Sequence, residues 1–352
     1  MYGRRRRRRL SGRFIVLMAA LAVGLLAYFI GTALAVDDYD ENGYIADDGD
    51  EMYDDYEYAV PSVPPDITLL QTSFDDAALL YILYYANHTF DINRHIIIDN
   101  EGLVRFATYS QRYNRLSINT SVPVVVRPIY ESSTGNIYIY VINPRDVYDR
   151  IVVIDPGHGG LDVGVIIGEH SEADVVLEIS LLLYDLFLQS DSGIKAYLTR
   201  ADDSWVFNAQ RTHIANTVGD LLLSVHVNSF VYDTSVAGTE TLYRPDGLME
   251  LLGNSGRMDM TNTQFSQIAQ NHLVAELGTR DRGIRERTDI LLLNTSTIPT
   301  AYVEVDFITN PAVLANLINP VYQLRVAQAL YRAVVEAFMQ MPMLGLGLEL
   351  DN

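Results

Sequence analysis

Four side chains have the types that metal-assisted hydrolysis requires: His158, Glu172, His226 and Glu304. His158 lies in Asp155-Pro156-Gly157-His158-Gly159-Gly160, directly after the apolar run IVVI. Proline and glycine end a strand, so His158 belongs to a loop at the strand's C-terminal edge, where open α/β sheets hold their ligands. His226 closes a second apolar run, LLLSV, and is followed by Asn228 and Ser229. Glu172 precedes a long helical pattern, at the positively polarised end of that helix. Glu304 stands in the strand-like AYVEV. Two imidazoles and a carboxylate make a catalytic zinc set with one coordination position left for water. A second glutamate nearby supplies a general base. The three donors are 14 and 54 residues apart, with no short HExxH signature, so spacing alone leaves the site open. The DPGHGG loop is also compatible with a phosphate-binding turn. It lacks the GxGxxG spacing and the GK[ST] lysine of such loops, and the chain's single lysine, Lys195, lies elsewhere.

These residues are carried by a pattern that begins at residue 151. Continuous apolar runs (IVVID, IKAYLT, LLLSVHV) alternate with helical periods over 174–189 and 205–217. In the first helix Val175, Ile179, Leu182 and Leu186 recur at i, i+4, i+7 and i+11, which is one apolar face. GTETLY, a helix over 265–277, ILLLN, AYVEV and a helix over 321–339 complete the domain. The expected fold is α/β: a twisted, largely parallel sheet with helices on both faces, over residues 146–342. Residues 343–352 are a tail.

Composition narrows the chemistry. The 352 residues contain no cysteine, which excludes disulfides, thiolate-bound zinc, iron–sulfur clusters and a cysteine nucleophile. Lys+Arg number 25 against 45 Asp+Glu, a formal net charge of −20, which argues against nucleic acid as a partner. The charge is unevenly placed. Residues 1–13 carry seven arginines and no acid, and residues 37–57 carry eleven acids and no base.

Between those blocks, residues 14–36 form an uncharged apolar run of 23 residues, long enough to span a hydrocarbon core of about 30 Å. Arg4 to Arg9 place the N-terminus in the cytoplasm by the positive-inside rule. The expectation is an N-terminal transmembrane helix anchoring a single-pass protein with its catalytic domain outside the cytoplasm. Secretion after cleavage near Ala35, in Ala33-Leu34-Ala35, is the alternative. Residues 37–65 form an acidic, tyrosine-rich linker closed by Pro61, Pro64 and Pro65.

Residues 66–145 form a small α+β unit of unassigned role in this reading. Ser73 caps a helix expected over 74–86. Strand-like runs follow at 95–98, 103–109, 122–130 and 136–142, and Ser133-Thr134-Gly135 is a turn between the last two.

Residues 151–338 resemble the zinc-dependent N-acetylmuramoyl-L-alanine amidases, the Amidase_3 family of cell-wall hydrolases. The resemblance rests on several motifs in order. IVVIDPGHGG is similar to the family's opening strand and first ligand, His158. Glu172, in SEADVVLEISL, occupies the second-ligand position. Leu198-Thr199-Arg200 and the Arg211 to Asn216 segment resemble its TR and RxxxAN segments. SVHVNS supplies the third ligand, His226, and Gly238 and Glu240 fall in its GxE strand. Asp281-Arg282-Gly283 is similar to its DRG, and PTAYVEVDFITNP to the segment bearing the catalytic glutamate, Glu304.

The resemblance implies one Zn²⁺ per chain, held by His158, Glu172 and His226, with Glu304 as the proton carrier. The implied substrate is peptidoglycan, cut at the amide between N-acetylmuramic acid and the L-alanine of the stem peptide. A zinc peptidase acting within the stem peptide would use the same metal set, and an inactive wall-binding protein is the rival from another class. Arg200, Arg211 and Asn216 are expected to be structural, and His213 packed or hydrogen-bonded within its helix. His170, His272 and Glu178 are not assigned as ligands. The chain departs from the family at Asp306, where glycine is usual. The stretch between Tyr243 and Phe265, with Glu250 as its one glutamate, is either a surface loop or a regulatory segment.

Overall fold

In the computed structural model, the described residues are 66–70, 77, 79–86, 94–246 and 260–341. The basic segment, the apolar run 14–36, the acidic linker, residues 247–259 with Glu250, and the tail lie outside them. Among the described residues no helix is long and apolar enough to cross a membrane.

The N-terminal strands are β1 (Asp66–Leu70), β2 (Leu80–Ala86), β3 (His95–Ile98), β4 (Val104–Ser110), β5 (Arg115–Thr120), β6 (Val125–Glu131) and β7 (Asn136–Ile142). They make an antiparallel sheet, β1-β2-β5-β4, and a three-stranded sheet, β3-β7-β6. The expected hairpin is present as the antiparallel β6–β7 pair. The helix expected over 74–86 is not what Leu80–Ala86 forms. In LYILYYA the aromatic and β-branched content suits a pleated surface, and burial alternates with period two: Tyr81 and Leu83 are fully buried while Leu80, Ile82 and Tyr84 are half-buried.

The C-terminal region follows as β8 (Ile151–Pro156), β9 (Ile166–Ile167), β10 (His170–Ser171), α1 (Glu172–Leu188), β11 (Lys195–Leu198), α2 (Asn208–Val218), β12 (Leu221–Asn228), β13 (Thr239–Tyr243), α3 (Asn262–Leu277), β14 (Asp281–Glu286), α4 (Leu291–Thr295), β15 (Thr300–Phe307), α5 (Pro311–Leu317) and α6 (Pro320–Gln340). Six strands form one sheet in the order β11-β8-β12-β15-β13-β14. Every pairing in it is parallel except β13 against β15.

The unbroken apolar runs follow from burial on both faces. Val152, Ile154, Leu223, Val225, Val303 and Val305 point into a core shared with α1, α3 and α6. Ile151, Val153, Leu222 and Tyr197 point into a second core. That second core contains Ile214, Ala215 and Val218 of α2 and Leu292 of α4, and also Leu83, Ile118, Ile137 and Ile139 from the N-terminal strands. Helices therefore cover both faces, and on the second face they share the cover with the two small sheets.

Two helix boundaries matter for the site. α2 begins at Asn208, not at Trp205, because Phe207 is its extended N-cap residue (φ −65°, ψ 145°). Trp205 and Phe207 are left on a loop. ILLLN contributes most of the short helix α4.

Candidate active site

Three strand ends and one helix start build the site. β8 runs into the DPGHGG loop, where His158 takes a left-handed conformation (φ +59°). A non-glycine residue there costs about 1–3 kcal/mol and needs its surroundings to hold it. The surroundings do so. Gly159 and Asp162 exchange two backbone hydrogen bonds, and the Arg211 guanidinium donates to the His158 carbonyl. His158 Nδ1 lies 2.9 Å from Asp162 Oδ1, which turns Nε2 toward the centre and orients the ring in the manner of a carboxylate–histidine–metal arrangement.

Glu172 is the first residue of α1, whose N-cap Ser171 accepts from Asp174 N at 3.1 Å. The start of a 17-residue helix favours a negative side chain. His226, near the end of β12, is 7 % exposed. Its ring stacks on Tyr302 with centroids 4.0 Å apart. Gly157 lies against its other side, where a Cβ would overlap the imidazole at three ring atoms.

The structure brings His158, Glu172 and His226 together. Glu172 Oε1 is 3.1 Å from both His158 Nε2 and His226 Nδ1, and the three donor atoms fall within 4.8 Å of one another. Glu172 Oε1 also accepts from Val227 N at 3.2 Å. Burial opposes ionisation of Glu172, but the hydrogen bonds and charges of the two histidines hold its carboxyl far below the usual range. Burial opposes charging of His158 as well; there Glu172 and Asp162 outweigh it and raise the pKa above 6.5. In the more buried His226, burial wins and lowers it.

Glu304 lies directly across from His226 in the β12–β15 register and from Glu240 in the β13–β15 register. The β12–β15 ladder shifts between His226 and Asn228, a bulge of the kind that re-aims side chains beside active sites. Glu304 is half-buried, yet its Oε2 is buried without a hydrogen-bond partner. Burial, then the charges of Glu172 and Glu240, push its pKa well above the usual carboxylate range, with Arg287 opposing. Glu240 itself is satisfied: Asn228 donates to Oε1 at 2.7 Å, and Arg282 and Arg285 each lie 3.2 Å from Oε2.

The residues fit a divalent cation. Two imidazoles and a carboxylate are the donor types zinc takes at a hydrolytic centre. Beside them stands Glu304, whose buried oxygen lacks a partner and whose ionisation the surrounding carboxylates oppose. A positive charge at the three donors would offset that negative surplus.

Beneath the cluster, Asp155 is fully buried. It accepts from Thr199 Oγ1 at 2.6 Å, Ser224 Oγ at 2.7 Å and Arg211 Nη1 at 2.7 Å. Burial raises its pKa, and the charge of Arg211 with these hydrogen bonds more than reverses that. Arg200 donates to the carbonyls of Pro156, Gly157 and Ala173, and Asn216 bonds Thr295 and Thr297. Arg200, Arg211 and Asn216 thus spend their donors on the protein itself, as expected of structural residues. Asp306 accepts from Gly238 N at 2.7 Å and Phe307 N at 2.8 Å, so it supports the turn that begins the Glu240 strand.

The remaining candidates lie elsewhere. His170 is in β10, and His272 pairs with Glu336 at 2.7 Å. Glu178 is exposed and accepts from Gln323. His213 is exposed on α2 rather than packed. Sequence reasoning did not find Asp162 or Tyr302. The first acts from a loop, where no periodicity announces contact. The second resembles an ordinary strand aromatic.

A cavity of about 300 Å³ opens beside the cluster, lined among others by His158, His226, Tyr302, Trp205, Phe207 and Ile290.

The sequence matches the Amidase_3 family (N-acetylmuramoyl-L-alanine amidase) over residues 152–336, just over half of the chain. It is 33 % identical over 186 residues to the uncharacterized protein YqiI of Bacillus subtilis, covering 53 % of this chain and 83 % of YqiI. It is 32 % identical over 193 residues to the N-acetylmuramoyl-L-alanine amidase LytC of the same organism, covering 54 % of this chain and 36 % of LytC. An N-acetylmuramoyl-L-alanine amidase from Clostridium difficile 630 aligns with TM-score 0.47 at 28 % identity, over 54 % of this chain and 97 % of that one.

Proposed function

The chain belongs to the N-acetylmuramoyl-L-alanine amidase family, and on that premise we propose that it cleaves peptidoglycan at the muramoyl–L-alanine amide with one zinc ion per chain. His158, Glu172 and His226 are its ligands and Glu304 its proton carrier. The observation that carries the reading is the convergence of three donors within 4.8 Å, with Glu304 on the adjoining strand and its Oε2 unpartnered.

Zn²⁺ held by these donors supplies Lewis acidity at the scissile carbonyl and makes water acidic near neutral pH. The chain's own residues do the rest. Asp162 holds His158 by Nδ1 and so presents Nε2. Gly157 and Tyr302 clamp the His226 ring from opposite sides. Glu304 Oε2 takes the proton of the attacking water as its oxygen bonds the amide carbon. The same oxygen then gives that proton to the amide nitrogen as the carbon–nitrogen bond breaks, releasing an L-alanine amino terminus and a lactyl carboxylate. Such acid–base help is worth about 10²–10⁴ in rate. The Gly159–Asp162 backbone bonds and the buried Asp155–Arg211 pair hold the strained His158 backbone in place before substrate arrives.

The acidic linker and the apolar run 14–36 support a reading in which the hydrolase is tethered to the outer face of the membrane. The domain limits 66–145 and 146–342 remain part of that proposal. Peptidoglycan incubated with the protein and analysed by mass tests the activity. The expected products are muramic acid with a free lactyl carboxylate and peptides beginning at L-alanine. Cuts between stem-peptide residues would overturn the reading in favour of a peptidase.

A further inference from the structure

The cluster accounts for bond cleavage but not for how the saccharide half of the substrate is held. One wall of the neighbouring cavity is aromatic and has no part in the cleavage chemistry. Trp205 and Phe207 line it, with ring centroids 4.5 Å apart and planes tilted by 42°. They are 48 % and 57 % exposed, an apolar pair presented to solvent at the mouth of a polar site. Trp205 is the chain's single tryptophan.

The pair is rigidly tied to the ligand loop. Arg211 Nε donates to the Val206 carbonyl, between the two aromatics, at 2.9 Å. The same guanidinium donates to the carbonyls of Pro156, at 2.6 Å, and His158. Asp203 accepts from Gly160 N at 2.8 Å. Gly160 has φ +60°, and a Cβ on it would lie 2.8 Å from Trp205 N and Cβ. Only glycine at that position lets the aromatic segment lie directly on the His158 loop. The platform and the metal ligand are thus held in one register, which is how a binding group aligns a scissile bond.

The charge around the cavity selects the occupant. Arg211 uses all three guanidinium nitrogens on the protein itself, Asp155 is its partner, and Asp162 is committed to His158. Apart from the metal proposed at His158 and His226, the described residues lining the cavity therefore offer a ligand carboxylate no uncommitted cation. Of the two halves of a muramoyl-peptide, the peptide carries free carboxylates beyond L-alanine. The N-acetylated hexose is neutral once its lactyl group is an amide, and one face of its ring is made of C–H bonds. A neutral group with an apolar face is what an aromatic wall receives.

We propose that Trp205 and Phe207 form a saccharide platform, on which the pyranose of N-acetylmuramic acid stacks so that its lactyl amide reaches His158 and His226. The identity of the sugar rests on the amidase reading; the platform does not.

Fluorescence of the single tryptophan tests it. The Glu304→Gln protein is titrated with the lactyl amide of N-acetylmuramic acid, which is neutral, with a soluble N-acetylmuramoyl-peptide and with the same peptide lacking the sugar. The two saccharides are expected to change Trp205 emission saturably and the bare peptide is not. In steady-state cleavage of the soluble muramoyl-peptide, Trp205→Ala and Phe207→Ala should raise KM at least about ten-fold, the loss expected on truncating an aromatic anchor. The kcat should stay within about three-fold, because ground-state and transition-state binding are lost together. Trp205→Phe should restore KM to within about three-fold. Emission that ignores the saccharides, an equal response to the bare peptide, or an unchanged KM in Trp205→Ala overturns the platform. Peptidoglycan cleavage without any saccharide response removes the platform and leaves the amidase; a saccharide response without cleavage does the reverse.

Discussion

Replacing Arg211 with methionine keeps the length of the side chain and removes its charge and five donors. In the protein Arg211 and Asp155 are 3 % and 0 % exposed, and their closest atoms are 2.7 Å apart. The substitution leaves Asp155 buried with only Thr199 and Ser224, and leaves the carbonyls of Pro156, His158 and Val206 without this donor. Breaking one partner of a buried ion pair costs about 3–5 kcal/mol. At about 2–4 °C per kcal/mol for a domain of this size class, the expected fall in Tm is about 6–20 °C. The pH dependence has a definite sign. With Arg211 present, the Asp155 pKa lies below 3.8, so its contribution is present above that value and is lost as pH falls through the folded-state pKa. Losing the Arg211 charge and hydrogen bond moves the Asp155 pKa upward, against the lowering by Thr199 and Ser224 that remains. The variant's deficit is then largest near neutral pH and shrinks as pH approaches 4. Urea unfolding of the metal-free protein between pH 4 and 8 measures it. Asp155→Asn combined with Arg211→Met should cost less than the two changes summed. A deficit under about 1 kcal/mol, or one that grows toward low pH, would refute the reasoning.

Three further outcomes follow from single contacts. Gly157→Ala should displace the His226 ring, since its Cβ would overlap the imidazole; zinc stoichiometry should drop while circular dichroism keeps the native signal. Zinc takes neutral histidine, and in the metal-free protein the His158 pKa lies above 6.5 while that of His226 lies below. Calorimetry of the Glu304→Gln protein, whose carboxamide cannot titrate, at pH 6.5 in buffers of different ionisation enthalpy should therefore detect about one proton released per zinc, and two would contradict the assignment. Asp306 is a buried carboxyl whose pKa burial raises, so its charged form costs stability above 3.8; Asp306→Asn, which still accepts from Gly238 and Phe307, should raise Tm at pH 8 and leave it unchanged near pH 4.

The α/β alternation was legible because strands buried on both faces appear as unbroken apolar runs, and IVVI and LLLSV are such runs. The DPGHGG loop was legible because proline and glycine must end the strand before His158. The convergence of His158, Glu172 and His226 was not a matter of spacing. Intervals of 14 and 54 residues carry no geometric code, and the resemblance to a known family supplied what periodicity lacked. The reading failed where short apolar segments have no period long enough to decide. Leu80–Ala86 is a strand in which Tyr81 and Leu83 alternate inward, although acidic residues ahead of it resemble a helix start. Trp205 and Phe207 were absorbed into a helix whose true N-cap is Phe207, and that hid the aromatic wall. Nor did the pattern show that the N-terminal strands share a core with Ile151, Val153 and Tyr197, since either apolar face of a strand looks the same in sequence.

Two glutamates near one ion do different work in the proposed mechanism, and their glutamine variants separate them. Glu172 contacts both histidines at 3.1 Å and is a ligand in this account. Glu304 Oε2 has no hydrogen-bond partner and is the proton carrier in the proposed mechanism. Metal stoichiometry is measured beside amide cleavage of peptidoglycan for Glu172→Gln and Glu304→Gln. Glu304→Gln is expected to stay folded and zinc-loaded while its rate falls by about 10²–10⁴, and Glu172→Gln to lose zinc and activity together. A Glu304→Gln protein that loses zinc while Glu172→Gln keeps it, or that cleaves at near wild-type rate, would contradict the mechanism.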